Sequence, residues 1–124
     1  MANCIGYADF VTEPEILEQV RKICLALPEM SERQSHGEPT WFYKTKKSVV
    51  VYADRHHDDK LAFWCAAPEG VQAALIDADP DRFFRPPYVG HRGWVGVRLD
   101  RDPLDWATIE TIIQDAWETV SQKR

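Results

Sequence analysis

Apolar positions recur at helical spacing near each end of the chain and at strand spacing between. Ile16, Val20, Ile23, Cys24 and Leu27 fall three or four residues apart, the stripe of an amphipathic helix. Thr12 stands as its cap, and Glu15 three residues later completes a capping box. Val11 and Ile16 are placed for a hydrophobic staple, Pro14 lies in the first turn, where its missing N–H costs nothing, and Pro28 marks the end. The second stripe is Trp106, Ile109, Ile112, Ile113, Ala116, Trp117 and Val120, in a helix expected to open at Asp102-Pro103.

Between them the pattern is β. Thr40 to Tyr43, Val49 to Ala53 and Leu61 to Ala66 are rich in aromatic and β-branched residues. The polar stretches Lys44 to Ser48 and Asp54 to Asp59 read as their connections, and a further short strand is expected around Arg33 to His36. Short polar loops imply an antiparallel meander. Pro68-Glu69 opens a short helix with Val71, Ala74, Leu75 and Ala78 inward, stopped by Asp79-Pro80. Phe83-Phe84 begins an extended piece that breaks at Pro86-Pro87. Gly90 and Gly93 bracket a turn before a strand in which Val95, Val97 and Leu99 alternate with Gly96 and Arg98. The expected fold is a single α+β domain over residues 1–124, a two-layer sandwich with both terminal helices on one face of an antiparallel sheet.

Composition narrows the classes. At 124 residues, 44% of them hydrophobic, the chain is large enough to build a core without metal or disulfide. The N-terminus lacks the basic and apolar regions of a signal peptide, and no apolar run is long enough to span a membrane. Cys4, Cys24 and Cys65 form an odd set with no C-x-x-C pair, which fits a reducing cytoplasm and packing rather than a disulfide framework or zinc. The net charge of −5 is unevenly spread. Residues 41–60 carry five basic and three acidic residues, and residues 82–98 four basic and none acidic. The remainder stands at −11. If the two segments meet, they form a positive patch on an acidic body.

Several segments resemble the MmcQ/YjbR family: Ile23 to Pro28, the run Ser35-His36-Gly37-Glu38-Pro39-Thr40-Trp41-Phe42, Pro68-Glu69, Pro86 to Gly90, and Gly93 to Val97. The likeness extends from about Glu13 to Val120. It implies a frataxin-type (CyaY-like) fold with two hairpin wings and a predicted DNA-binding role. It brings no agreed enzymatic activity and no catalytic residues.

The leading expectation is a non-enzymatic binding domain without a cofactor, monomeric or weakly dimeric, whose first candidate partner is DNA. Phosphates would be met by Lys44, Lys46 and Lys47 in a hairpin turn and by Arg82, Arg85, Arg92 and Arg98, with Tyr88 and His91 between them to stack on a base. A Lys-rich turn equally serves solubility. The rival is a small-molecule-binding or enzymatic domain with a pocket near the His36-Gly37 turn and the aromatic sheet face, lined by His36, Trp41, Tyr88 and Trp94. The same turn also reads as structural, its Gly allowing positive φ and its His packing on Trp41. A protein-interaction module using the acidic helices is a third possibility. Asp54-Arg55-His56-His57-Asp58-Asp59 has metal-ligating types, but adjacent ligands suit a solvated turn better than one tetrahedral site. The acidic first helix, Glu13, Glu15 and Glu18 with Asp9 ahead, reads as a solvated face matching the helix dipole.

Overall fold

A computed structural model describes residues 12–55 and 58–122; Cys4, Asp9, Val11, His56 and His57 lie outside them. Helix α1, Glu13–Leu25, begins with the capping box: Glu15 N–H donates to Thr12 Oγ1, and Thr12 N–H donates to Glu15 Oε1. Strands β1 (Met30–Ser35), β2 (Glu38–Tyr43), β3 (Lys47–Asp54) and β4 (Leu61–Cys65) follow as an antiparallel meander. Helix α2, Val71–Ala78, precedes the short β5, Phe83–Phe84, and β6, Val95–Arg98. The sheet order is β1-β2-β3-β4-β6-β5. Helix α3, Trp106–Ser121, closes the described chain. This is the expected α+β architecture, with six strands.

Strand alternation sorts the aromatic residues between the two faces. On the helix-facing side, Trp41 is fully buried and its indole N–H donates to Glu32 Oε1 at 3.0 Å. Arg21 of α1 donates two hydrogen bonds to the same carboxylate, at 2.7 and 2.9 Å. Tyr43 meets Trp117 of α3 edge to face, with ring centroids 6.2 Å apart. The Trp117 indole N–H donates to the Pro28 carbonyl oxygen. The two terminal helices thus share one face of the sheet, and the core fills the layer between with Val20, Cys24, Val50, Phe63, Val95 and Ile113. Burial raises the thiol pKa of both Cys24 and Cys65, which fits packing rather than reactivity.

The structure corrects two sequence expectations here. In α2 the residues packed on the core are Leu75 and Ile76, while Ala74 and Ala78 are exposed. The helix covers the sheet edge rather than the main core, so half a turn of apolar contact suffices. The last helix starts at Trp106 with Asp105 as its cap, rather than at Asp102-Pro103. Arg82 donates hydrogen bonds to the carbonyl oxygens of both Asp102 and Pro103, at 3.1 and 2.7 Å. Those carbonyls are therefore committed to a side chain before the helix begins.

The Arg21 hydrogen bonds hold the Glu32 carboxyl below its ordinary range, against the opposing effect of burial; Arg21 charge and the Trp41 N–H add to the lowering. A depressed folded-state pKa contributes stability above the unfolded value, near pH 4.3, and that stability is lost as pH falls through the folded value. Glu32→Gln should therefore be less stable than the wild type at pH 7, with the gap closing on acidification below about pH 4. Urea unfolding at both pH values measures this, and a pH-independent gap would contradict the assignment.

Candidate functional site

Among the described residues, neither α1 nor α3 covers the opposite face of the sheet. Thr40, Phe42, Val51 and Trp64 project from it, joined at one margin by Trp94 and Phe84. The β1–β2 turn and the segment after β5 rise at its rims, leaving a recess of about 460 Å³. His36, Tyr88 and Trp94 line it, together with Ser35, Glu38, Ser48, Tyr52, Ala53 and Val89.

Local backbone chemistry builds each wall. His36 and Gly37, at φ of 55° and 82°, turn the chain between Ser35 and Glu38. This left-handed pair is the geometry that matches hairpin twist, and glycine accepts it without strain. It places His36 at the rim and directs Glu38 inward, where the residue is only 8% exposed. The Glu38 Oε2 accepts a hydrogen bond from Asp54 N–H at 3.3 Å. At the other rim Tyr88 is 72% exposed and also left-handed, with φ of 67°. Backbone bonds from Val89 N–H to Pro87 O and from Gly90 N–H to Pro86 O hold it there. Gln72 of α2 donates to the carbonyl oxygens of Gly90 and Trp94, fastening the same segment from behind.

Trp41 does not line the recess. Alternation puts it on the helix-facing side, one residue from Phe42, which does line it. For the same reason His36 does not pack on Trp41. Sequence reasoning passed over Thr40, Ser48, Val51 and Trp64 as site residues. The signal lay in pairing register, since each faces the same side as Phe42.

A register slip between Trp41 and Phe42 matters most. Trp41 pairs with Val50 but Phe42 pairs with Ser48, so Val49 faces no residue of β2. Such a bulge re-aims the strand that follows a turn. It puts both Ser48 and Val51 on the open face, three residues apart. The β2–β3 turn, with Lys44 and Thr45 left-handed, then delivers Lys46 and Lys47 to a second recess. Arg92, Thr119 and Ala66 complete it, and Ser48 and Trp94 belong to both recesses. The Arg92 guanidinium lies 5.2 Å from the Trp94 ring centroid.

The basic residues therefore divide. Lys46, Lys47 and Arg92 converge at one end of the sheet. Arg85 does not line that recess: its stem crosses Gly90 so closely that a Cβ there would stand 2.5 Å from Arg85 Cγ. Lys44 sits over the Tyr43 ring instead, at 5.5 Å. Arg82 and Arg98 do not extend this cluster. Arg98 pairs with Ala62 at the far end of the sheet and is bound to Asp100 through Nε and Nη2, at 2.9 and 3.0 Å. Those bonds raise the Arg98 pKa further. Arg82 is occupied by the carbonyls before α3 and by Asp79.

The remaining candidates read as surface chemistry. Glu13 is bonded to Arg55, Glu15 is the capping partner and Glu18 pairs with Arg21. Asp54 and Asp58 are paired with Arg55 and Lys60. Among the described residues no group of three His, Cys, Asp or Glu is arranged to hold a metal ion, and no helix is long and apolar enough to cross a membrane.

A family model described as YjbR matches residues 25–119, from the last residue of α1 almost to the end of α3. Searches of curated proteins and of solved structures return no match to the chain.

Proposed function

Because this chain belongs to the YjbR family, a membership that by itself assigns no chemistry, we propose from its own geometry that it is a binding domain for nucleic-acid phosphates. The observation that carries this reading is the convergence of Lys46, Lys47 and Arg92 in one recess at the end of the sheet. Three cations from two separate segments meet there on a chain whose net charge is −5. Phosphate oxygens are the ligands that ammonium and guanidinium groups serve together, Lys as a point charge and Arg as a planar fork. The cluster is small, so it neutralises few phosphates, and the surrounding acidic body repels strands that extend far beyond it.

Binding of labelled DNA should accordingly be salt-sensitive with a shallow slope. Three phosphate contacts correspond to a log–log slope of about −2 to −3. Affinity should then fall roughly twentyfold or more between 50 and 200 mM salt. Fluorescence anisotropy over that range checks it. Undetectable binding at the low-salt end, or binding indifferent to salt, would remove the reading.

A further inference from the structure

Resting on that phosphate reading, we propose that the recess on the open sheet face holds an unpaired base of a single strand whose phosphates lie over Lys46, Lys47 and Arg92. Three observations select this occupant. The first is continuity: Ser48 and Trp94 line both the cationic recess and the aromatic one, so a chain of alternating phosphate and ring passes from one to the other without leaving the surface.

The second is the pairing of rings with cations across the whole face. The Arg33 guanidinium stands 3.7 Å from the Phe42 ring centroid, Lys60 Nζ 5.1 Å from that of Phe84, and Arg92 5.2 Å from that of Trp94. Arg33 lies outside both basic segments of the sequence, so the charge on this face exceeds what those segments contain. Aromatic platforms bordered by cations are how proteins hold single strands, because every base offers a π-face and every nucleotide a negative charge. A purely apolar ligand would gain nothing from the three cations.

The third is the polar equipment inside. Glu38 is a carboxylate at the buried side of an otherwise largely apolar recess, an acceptor for the exocyclic amino group or ring N–H of a base. Tyr88 stands at the mouth, 72% exposed on left-handed backbone. A strained, outward aromatic residue fastened by its neighbours is placed for contact rather than for packing. The recess, at about 460 Å³, falls within the range of small-ligand sites. Bases paired within a duplex cannot enter it.

The test uses the whole chain and three labelled probes of equal length at low salt: a mixed-sequence single strand, the same backbone with abasic sites throughout, and the duplex. The single strand should bind about tenfold or more tightly than the abasic strand, in line with base–aromatic stacking. Tyr88→Ala, at an exposed position, should shrink that ratio while leaving abasic binding unchanged. Glu38→Gln should alter preference among homopolymers bearing different donor groups. The Lys46→Ala/Lys47→Ala variant should weaken all probes. If abasic, single-stranded and duplex probes bind equally and only the lysine variant matters, the recess inference falls while the phosphate reading stands. If no probe binds at low salt, both fall.

Discussion

Replacing Trp41 with alanine should lower the unfolding free energy by about 3–5 kcal/mol, the range for emptying a large aromatic side chain from a core. The side chain is fully buried and sits where β2 meets the helix layer. Its loss opens a cavity and also takes a donor from Glu32, leaving that carboxylate to Arg21 alone. For a domain whose total stability is about 5–15 kcal/mol, this is a large fraction. Urea unfolding should show a lower midpoint with little change in slope. Trp41→Phe should cost less, because it keeps most of the apolar volume and forfeits chiefly the hydrogen bond. A loss below about 1 kcal/mol for the alanine variant would mean that this side chain does not bridge sheet and helix. The result also bears on function: a Trp41 that supports the core cannot also contact a ligand on the far side of the sheet.

The second large effect concerns binding. A Lys46→Ala/Lys47→Ala/Arg92→Ala variant should lose most affinity for single-stranded DNA at low salt, at least tenfold, and its salt slope should flatten by about 0.7 per contact removed, roughly 2 in all. Counterion release scales with the number of phosphates neutralised, so slope and affinity must fall together. Arg82→Ala/Arg98→Ala is the matched comparison, removing two arginines from the same basic segment. Both side chains are already bound, to Asp100 in one case and to Asp79 and two backbone carbonyls in the other. That variant should keep the wild-type slope. Circular dichroism on each variant separates lost binding from lost folding. Equal losses in both would show that overall charge, rather than the recess, governs the interaction.

The secondary structure was legible because local rules and tertiary demands agree. Thr12 and Glu15 cap α1 in the structure as their spacing implies, and Ile16, Val20, Ile23 and Cys24 are buried on one side of that helix. Lys44 to Lys46 turn where the polar residues interrupt the aromatic and β-branched runs. Disagreement arose where a side chain from elsewhere intervened. Arg82 occupies the carbonyls of Asp102 and Pro103, and nothing near those residues announces it.

The site was legible only in part. Period-two alternation separates Trp41 from Phe42 and Phe63 from Trp64, so it foretells an aromatic surface on the sheet face without helices. It does not say which member of each pair faces the helices; that depends on where α1 and α3 pack, and Trp41 went to them. The slip at Trp41 and Phe42 is invisible to alternation, because a bulge changes the face of every residue beyond it. Charge counting likewise grouped Arg82 and Arg98 with Arg92 because they are neighbours in sequence. Strand pairing sends them to opposite ends of the sheet and brings Arg92 to Lys46 and Lys47 instead. The sequence by itself thus determined the helices, the strands, the α+β class and the family likeness, all set by local periodicity and short motifs. Only the tertiary structure decided which cations meet, which rings line the recess and that Glu38 lies among them, because those facts depend on register and on contacts between residues far apart in the chain.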